Sequence, residues 1–256
     1  MASPVLRIFE RLIRRNSRLR HSDAACNHAR MTSAIIVAAG KGTRMGAGVD
    51  KLWLEVAGRP VVAHTWQCFD AAACVDEIIL VVREGMQVEF EKLAVQFAFK
   101  KSFRVVVGGV ERQDSVWNGL AAVSPQTEIV AIQDGARPCS SAELIAATIA
   151  AAREVGAAVA AQPVTDTIKE SADGKIISRT LDRAQLWAVQ TPQTFRAEVI
   201  RRALTEVRVR GLLVTDDTAA CDLIGQPVKL VAWSSPNPKV TRPEDLAVVD
   251  LLLRGR

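Results

Sequence analysis

A chain of 256 residues, 49% hydrophobic and 24% charged, is long enough for one large α/β domain or two small ones, with a core that needs no disulfide or metal staple. No uninterrupted apolar run approaches the ~20 residues of a membrane span, and the five cysteines (Cys26, Cys68, Cys74, Cys139, Cys221) show neither CxxC spacing nor a disulfide framework. They read as reduced thiols of a cytoplasmic protein, with Cys139 as filler rather than a nucleophile.

The net charge of +5 points to nucleic acid only until it is located. Residues 1–30 hold seven arginines against Glu10 and Asp23, which leaves 26 basic and 26 acidic residues in the remainder. A neutral body lacks the electrostatic footprint of a duplex-binding domain, so no nucleic-acid partner is expected. The basic tail places Val5, Ile8, Phe9 and Leu12 at the spacing of one apolar helix face. Three readings stay open for residues 1–31: an organellar targeting segment, a surface-binding helix, or a disordered or non-native extension ahead of a start at Met31. The folded domain is expected from 32 to 256.

Ala34 to Ala38 is a run of small and β-branched residues, as in a buried strand of a parallel sheet. It ends at Ala39-Gly40 in a loop with Gly42, Gly46 and Gly48, among which stand Lys41, Arg44 and Lys51. Free amides and fixed cations at the carboxyl end of a first strand suit phosphate binding. The Walker A spacing is absent, and Met45 stands where the dinucleotide fingerprint needs its third glycine. The Arg44-Met45 pair, with a lysine six residues on, resembles instead the signature of nucleotidyltransferases that join a sugar or polyol phosphate to a nucleotide.

Leu52 to Val56 and the turn Ala57-Gly58-Arg59 lead to Pro60, a favourable first helical residue, and Val61, Val62, Thr65, Trp66 and Phe69 follow helical spacing. Strands are predicted over Glu77–Val82, Arg104–Val107, Ile129–Ile132 and Ala157–Ala161. Helices are predicted over Val88–Phe97, Arg112–Val123 and Ser141–Val155, the last capped by Ser140 or Ser141. This alternation argues for a mainly parallel sheet with helices on both faces. Between Pro163 and Pro192 the pattern changes. Val164–Glu170 and Lys175–Thr180 flank Ala172-Asp173-Gly174, a hairpin signal, and their mixed apolar and charged residues suit an arm over about 163–192, or a solvated excursion. Phe195–Val207 and Asp216–Ile224 read as helices, Val228–Trp233 as a strand and Pro243–Leu253 as a closing helix.

Four loops then fall at one sheet edge: the glycine loop, Gly108-Gly109-Val110-Glu111-Arg112-Gln113-Asp114-Ser115, Asp134-Gly135-Ala136-Arg137-Pro138, and Lys239-Val240-Thr241-Arg242-Pro243-Glu244-Asp245. Ligands of open α/β sheets bind outside the carboxyl ends of the strands, and an acid there is a natural Mg²⁺ partner that leaves waters on the ion.

Over residues 33 to 256 these four motifs, in this order, resemble the 2-C-methyl-D-erythritol 4-phosphate cytidylyltransferase family. The resemblance implies a Rossmann-like nucleotidyltransferase fold with a protruding β-arm, Mg²⁺ or another divalent cation, CTP as co-substrate and a homodimer whose arm reaches into the neighbouring site. It implies transfer of CMP from CTP to 2-C-methyl-D-erythritol 4-phosphate with release of pyrophosphate, in the non-mevalonate route to isoprenoid precursors. By the same resemblance Ala38, Ala39, Gly40 and Gly42 wrap the triphosphate. Arg44, Lys51 and Lys239 are its catalytic cations. Gly109, Val110 and Ser115 face the cytosine, while Asp134, Gly135 and Arg137 lie near ribose and metal, with Asp134 the metal ligand, directly or through water. Asp166, Thr167, Lys169 and Arg183 are arm positions, of which Thr167 and Arg183 hold the polyol phosphate of the other subunit. Thr191 and Thr215 are further substrate-side positions.

The chain departs from the family pattern at Val37 and Asp50, where proline is usual, and at Val110, where aspartate is usual. The first two alter loop stiffness; the third weakens any side-chain contact to the base there. No strong base is expected, because a phosphate oxygen is already ionised near neutral pH; His21 and His28 lie in the tail, and His64 reads as structural. The alternatives are the same chemistry on ribitol 5-phosphate or another polyol phosphate, transfer from a nucleotide with another base, and, from a different class, a non-catalytic nucleotide-binding protein.

Overall fold

The computed structural model describes residues 31–40, 42 and 50–255. The tail 1–30 and, from the glycine loop, Lys41, Arg44, Gly46 and Gly48 lie outside the described residues. β1 (Met31–Ala38) begins at Met31 rather than at Ala34. Its side chains divide by parity, as a strand with two covered faces requires. Ala34, Ile36 and Ala38 enter one core, with residues of α1 (Val61–Ala71), α2 (Gln87–Gln96), α4 (Ala142–Val155) and α7 (Glu244–Arg254). Ile35 enters the other, with α3 (Arg112–Ala122), α5 (Ala197–Val209) and α6 (Asp217–Asp222). Helices therefore cover both faces, as the alternating pattern implies.

The remaining strands are β2 (Glu55–Val56), β3 (Arg59–Pro60), β4 (Glu77–Val82), β5 (Ser102–Val107), β6 (Thr127–Asp134), β7 (Ala157–Pro163), β8 (Lys169–Glu170), β9 (Arg179–Thr180), β10 (Trp187–Arg196) and β11 (Lys229–Ala232). Six of them join β1 in one sheet, in the order β11-β7-β10-β6-β1-β4-β5. All neighbours are parallel except β10, which is antiparallel to both β6 and β7. From β1 the chain moves outward through β4 and β5, then returns past β1 to β6. The strand order reverses there, and such a switch point opens a crevice at the carboxyl ends.

β10 is the main difference from the sequence reading. Phe195 and Arg196 close this strand, and the helix expected to start at Phe195 starts at Ala197. Thr191 to Phe195 are all buried, so the stretch shows no alternation, and its threonines, glutamine and proline conceal a central strand. Trp187 to Pro192, taken as the end of the arm, thus lie in the main sheet.

The arm itself is a short antiparallel ribbon in which Lys169 opposes Thr180 and Glu170 opposes Arg179. Its strands are shorter than predicted because Asp173 Oδ1 accepts from the N–H groups of Lys175 (2.8 Å) and Ile176 (3.0 Å), forming a wide turn. Pro60 is extended (φ −56°, ψ 142°) and precedes α1 rather than starting it, since it pairs with Glu55 in the β2–β3 ribbon. Ser141, not Ser140, caps α4, its Oγ accepting from Leu144 N at 3.2 Å. Among the described residues no helix is long and apolar enough to cross a membrane.

Candidate active site

At the carboxyl ends of β1 and β6 lies an open cleft of about 170 Å³, lined by Ala39, Gly40, Lys51, Gly109, Val110, Ser115, Asp134, Gly135 and Lys239 among others. Close backbone packing shapes the walls. A Cβ on Gly109 would stand 2.2 Å from Asp114 Cβ, and one on Gly108 would stand 2.5 Å from Ala39 Cβ. Gly109 N donates to Ser115 Oγ (3.1 Å), which fixes the turn into α3. Gly135 N donates to Val37 O (2.9 Å), holding the Asp134 loop against β1.

Asp134 ends β6 and is the centre of the charge distribution. Its Oδ2 lies 2.8 Å from Lys239 Nζ and 3.4 Å from Arg137 Nε, and its Oδ1 lies 3.4 Å from Arg112 Nε. Burial by itself would raise this carboxyl, but Lys239 first, then Arg112 and Arg137, outweigh it and hold it at about 2. Arg112 also donates through Nη1 to Asp217 Oδ2 at 2.8 Å. Burial, the dominant influence on Asp217, pushes its carboxyl up against the pull of that guanidinium. The interlocked group of Arg112, Arg137 and Lys239 with Asp134 and Asp217 carries one excess positive charge, and on the same cleft Lys51 is balanced by Glu111. Such a site is short of anions.

Lys51 is buried, with Nζ donating to Val240 O at 2.8 Å. Its approach is set by Asp50, which ion-pairs with Arg83 and accepts from Leu52 N at 3.2 Å, so the residue replacing the usual proline supplies a turn of its own. Gly42, at φ +63°, packs against the Lys51 stem: a Cβ there would be 3.4 Å from Lys51 Cγ.

Of the predicted site residues, Ala39, Gly40, Lys51, Gly109, Val110, Ser115, Asp134, Gly135 and Lys239 share the cleft. Ala38 sits beneath it in the core. Val110 is 94% exposed at the mouth. Arg137 and Thr191 reach Asp134 from behind, the second as acceptor (Oγ1) of the Asp134 N–H at 3.1 Å. Asp166, Thr167, Lys169 and Arg183 are on the arm, exposed, and do not line this chain's own cleft. There Lys169 Nζ donates to Thr180 Oγ1 at 2.7 Å and Arg183 Nη1 to Thr165 O at 2.6 Å. Thr215 is exposed just ahead of α6. Arg44 lies outside the described residues. His64 is structural, its Nε2 lying 2.7 Å from Val56 O, and Cys139 is core filler at 2% exposure.

Sequence reasoning gave Arg112 and Asp217 no role in the site, naming Arg112 only as a helix start and a member of the second loop. Its place between Gly109 and Ser115 was the available signal; nothing local to Asp217 announced that it would meet Arg112. Among the described residues no group of three or more His, Cys, Asp or Glu side chains could hold a metal. Two carboxylates line the cleft, Asp134 and Glu111, and the second is engaged in capping α3, which leaves Asp134 as the hard oxygen donor for a cation. One carboxylate suits Mg²⁺ when phosphate oxygens and water complete the shell.

A family profile described as IspD, 2-C-methyl-D-erythritol 4-phosphate cytidylyltransferase, matches residues 32–255. The chain is 45% identical over 227 residues to the 2-C-methyl-D-erythritol 4-phosphate cytidylyltransferase of Alkaliphilus oremlandii, covering 88% of this chain and 96% of that one. It is 43% identical to the protein of that name from Pelotomaculum thermopropionicum, covering 88% and 94%. Among solved structures, the 4-diphosphocytidyl-2C-methyl-D-erythritol synthase of Anaerococcus prevotii superposes with a TM-score of 0.78 at 31% identity, covering 88% of this chain and 96% of that one. The 2-C-methyl-D-erythritol 4-phosphate cytidylyltransferase of Thermus thermophilus gives 0.73 at 32%, covering 88% and 99%. With a glycine-walled, cation-lined cleft at the switch point of a Rossmann-like sheet, the chain belongs to the 2-C-methyl-D-erythritol 4-phosphate cytidylyltransferase family.

Proposed function

We propose that this enzyme transfers CMP from CTP to 2-C-methyl-D-erythritol 4-phosphate, yielding 4-diphosphocytidyl-2-C-methyl-D-erythritol and pyrophosphate, in isoprenoid precursor synthesis. The observation that carries the assignment is the convergence of Lys51, Lys239 and Asp134, from distant parts of the chain, on one glycine-walled cleft. A phosphate oxygen of the acceptor attacks the α-phosphorus in line, and pyrophosphate leaves. The reaction brings two anions together, so the barrier is lowered mainly by positioning and by fixed positive charge. Lys239, released from Asp134, and Lys51 stabilise the α-phosphate and the leaving oxygens, and Arg44 is assigned to the same triphosphate. The backbone at Ala39-Gly40 and Gly42 follows the phosphates, Gly109, Val110 and Ser115 receive the base, and Asp134, Gly135 and Arg137 lie on the ribose side. With Val110 exposed and apolar, base selection falls to backbone groups and Ser115.

Asp134 would hold Mg²⁺ or another divalent cation, which supplies charge neutralisation when bound. The acceptor side is assigned to Thr191 and Thr215 together with Asp166, Thr167, Lys169 and Arg183 from the arm of a second copy in a cytoplasmic homodimer. The support for that pairing is that the arm residues are exposed and turn away from their own cleft, with Ile176 and Ile177 74% and 59% exposed at the tip. Pyrophosphate release from CTP with 2-C-methyl-D-erythritol 4-phosphate, against ribitol 5-phosphate, tests the assignment. Faster release with ribitol 5-phosphate would overturn the acceptor, and faster release with UTP or GTP would overturn the base.

A further inference from the structure

The segment between β11 and α7 contains a buried polar residue to which the proposed chemistry gives no part. Asn237, between Pro236 and Pro238, is 1% exposed. Its side chain is fully engaged. Nδ2 donates to Thr191 O at 2.8 Å and to Gln190 Oε1 at 3.2 Å, and Oδ1 accepts from Ser140 Oγ at 3.2 Å. Its carbonyl accepts from Arg137 Nη1 at 2.8 Å. Ser140 is held in turn by Gln133 Nε2 at 3.0 Å, on the residue before Asp134. One amide therefore joins the end of β6, the turn within β10 and the lead into α4. Two residues further on, Lys239 meets Asp134, and Val240 is fixed from both sides: its N–H donates to Ala136 O at 2.8 Å and its carbonyl takes Lys51 Nζ.

We infer that Asn237 is a positioning residue for Lys239. It registers the cation-bearing strap against the Thr191 turn and the Arg137 loop, so that the Lys239 ammonium is already placed when the triphosphate arrives. Lysine is a flexible four-carbon stem with high rotamer entropy, and the neighbouring prolines alone do not fix the strap relative to β6 and β10. Displacement of a charged group by about 1 Å lowers turnover on the order of 10²-fold. The inference rests on the cytidylyltransferase reading, and a second readout separates the two.

The test compares wild type, Asn237→Ala, Lys239→Ala and the double variant, each kept well below its thermal midpoint, with CTP and 2-C-methyl-D-erythritol 4-phosphate. Asn237→Ala is expected to lower kcat on the order of 10²-fold with the KM for CTP within about threefold, and to have less than about a threefold effect once Lys239 is already alanine. Loss of kcat by the same factor in both backgrounds, or kcat within threefold of wild type, overturns the inference. Asn237→Asp keeps the shape and the acceptor but removes both donors, and takes the place of Asn237→Ala if that variant fails to fold. Independently of turnover, acylation of Lys239 by an amine reagent, followed by peptide mass analysis, is expected to be severalfold faster in the Asn237 variants. Unchanged labelling overturns the inference even in a protein that transfers CMP, whereas wild type that releases no pyrophosphate overturns the activity and leaves the labelling to decide on Asn237.

Discussion

Lys239 Nζ lies 2.8 Å from Asp134 Oδ2, so the cation assigned to phosphate and the acid assigned to metal form one ion pair. A triphosphate offers Lys239 more negative charge than one carboxylate does, which favours transfer of the ammonium to phosphate. Removing the ammonium should therefore cost more in the transition state than in folding. Lys239→Ala and Lys51→Ala are each expected to lower kcat on the order of 10²–10³-fold, about 3–4 kcal/mol by analogy with loss of one oxyanion donor. Circular dichroism of both variants should stay native, and steady-state pyrophosphate release measures the loss.

The acid limb of stability should carry the mark of Asp134. Its carboxyl is held at about 2, below the ordinary value of 3.8, so the folded state binds its proton less readily than the unfolded chain does. The contribution is complete above the unfolded value and disappears as pH falls through the folded one, amounting to about 2 kcal/mol between pH 4 and pH 2. Denaturant titrations at successive pH values should show wild type losing stability more steeply in that window than Asp134→Asn does.

Arg112 and Asp217 make a second prediction about stability. Arg112→Ala leaves the Asp217 carboxylate buried without its partner, and a broken buried pair costs about 3–5 kcal/mol. Changing Asp217 to asparagine in the same chain removes the stranded charge. Urea unfolding should therefore rank Arg112→Ala/Asp217→Asn above Arg112→Ala, reversing the usual expectation that a second change in a buried cluster does further harm.

The glycine turn ahead of α3 offers a steric prediction. An alanine at Gly109 must move Asp114 Cβ, which would lie only 2.2 Å from the new methyl, and Asp114 is part of the helix cap. Gly109→Ala is expected to lose about 1–3 kcal/mol of stability, as overpacking does, and to raise the KM for CTP because Ser115 and the wall assigned to the base move together. Thermal melts and CTP titration check the two parts.

Much of this arrangement was legible in the residues. β4 coincides with the predicted Glu77–Val82, because a run of buried β-branched residues between polar ends has few other solutions. Asp134 was legible as an acid leaving a buried strand. β10 was not, because a central strand with both faces covered loses its period and Pro192 argued against it. Nor was the Arg112–Asp217 pair, which joins residues 105 apart in the chain through tertiary packing alone. The arm was visible as a change of pattern, yet its narrow ribbon follows from Asp173 binding backbone N–H groups at the turn, a local competition that strand propensity does not register.

The position of β10 has a consequence for how the polypeptide is assembled. β7 is synthesised before β10 but lies beyond it in the sheet, so on emergence from the ribosome it has no partner strand on the β6 side until the arm and β10 have also been translated. Lys239 and Val240 come later still. A nascent chain can complete the β1-β4-β5 edge early, yet it has no working pocket until almost every described residue is out, and the partly built sheet exposes unpaired β6 and β7 edges in the meantime. A nucleotide meeting the chain before residue 239 is made would therefore lack the Lys239 ammonium.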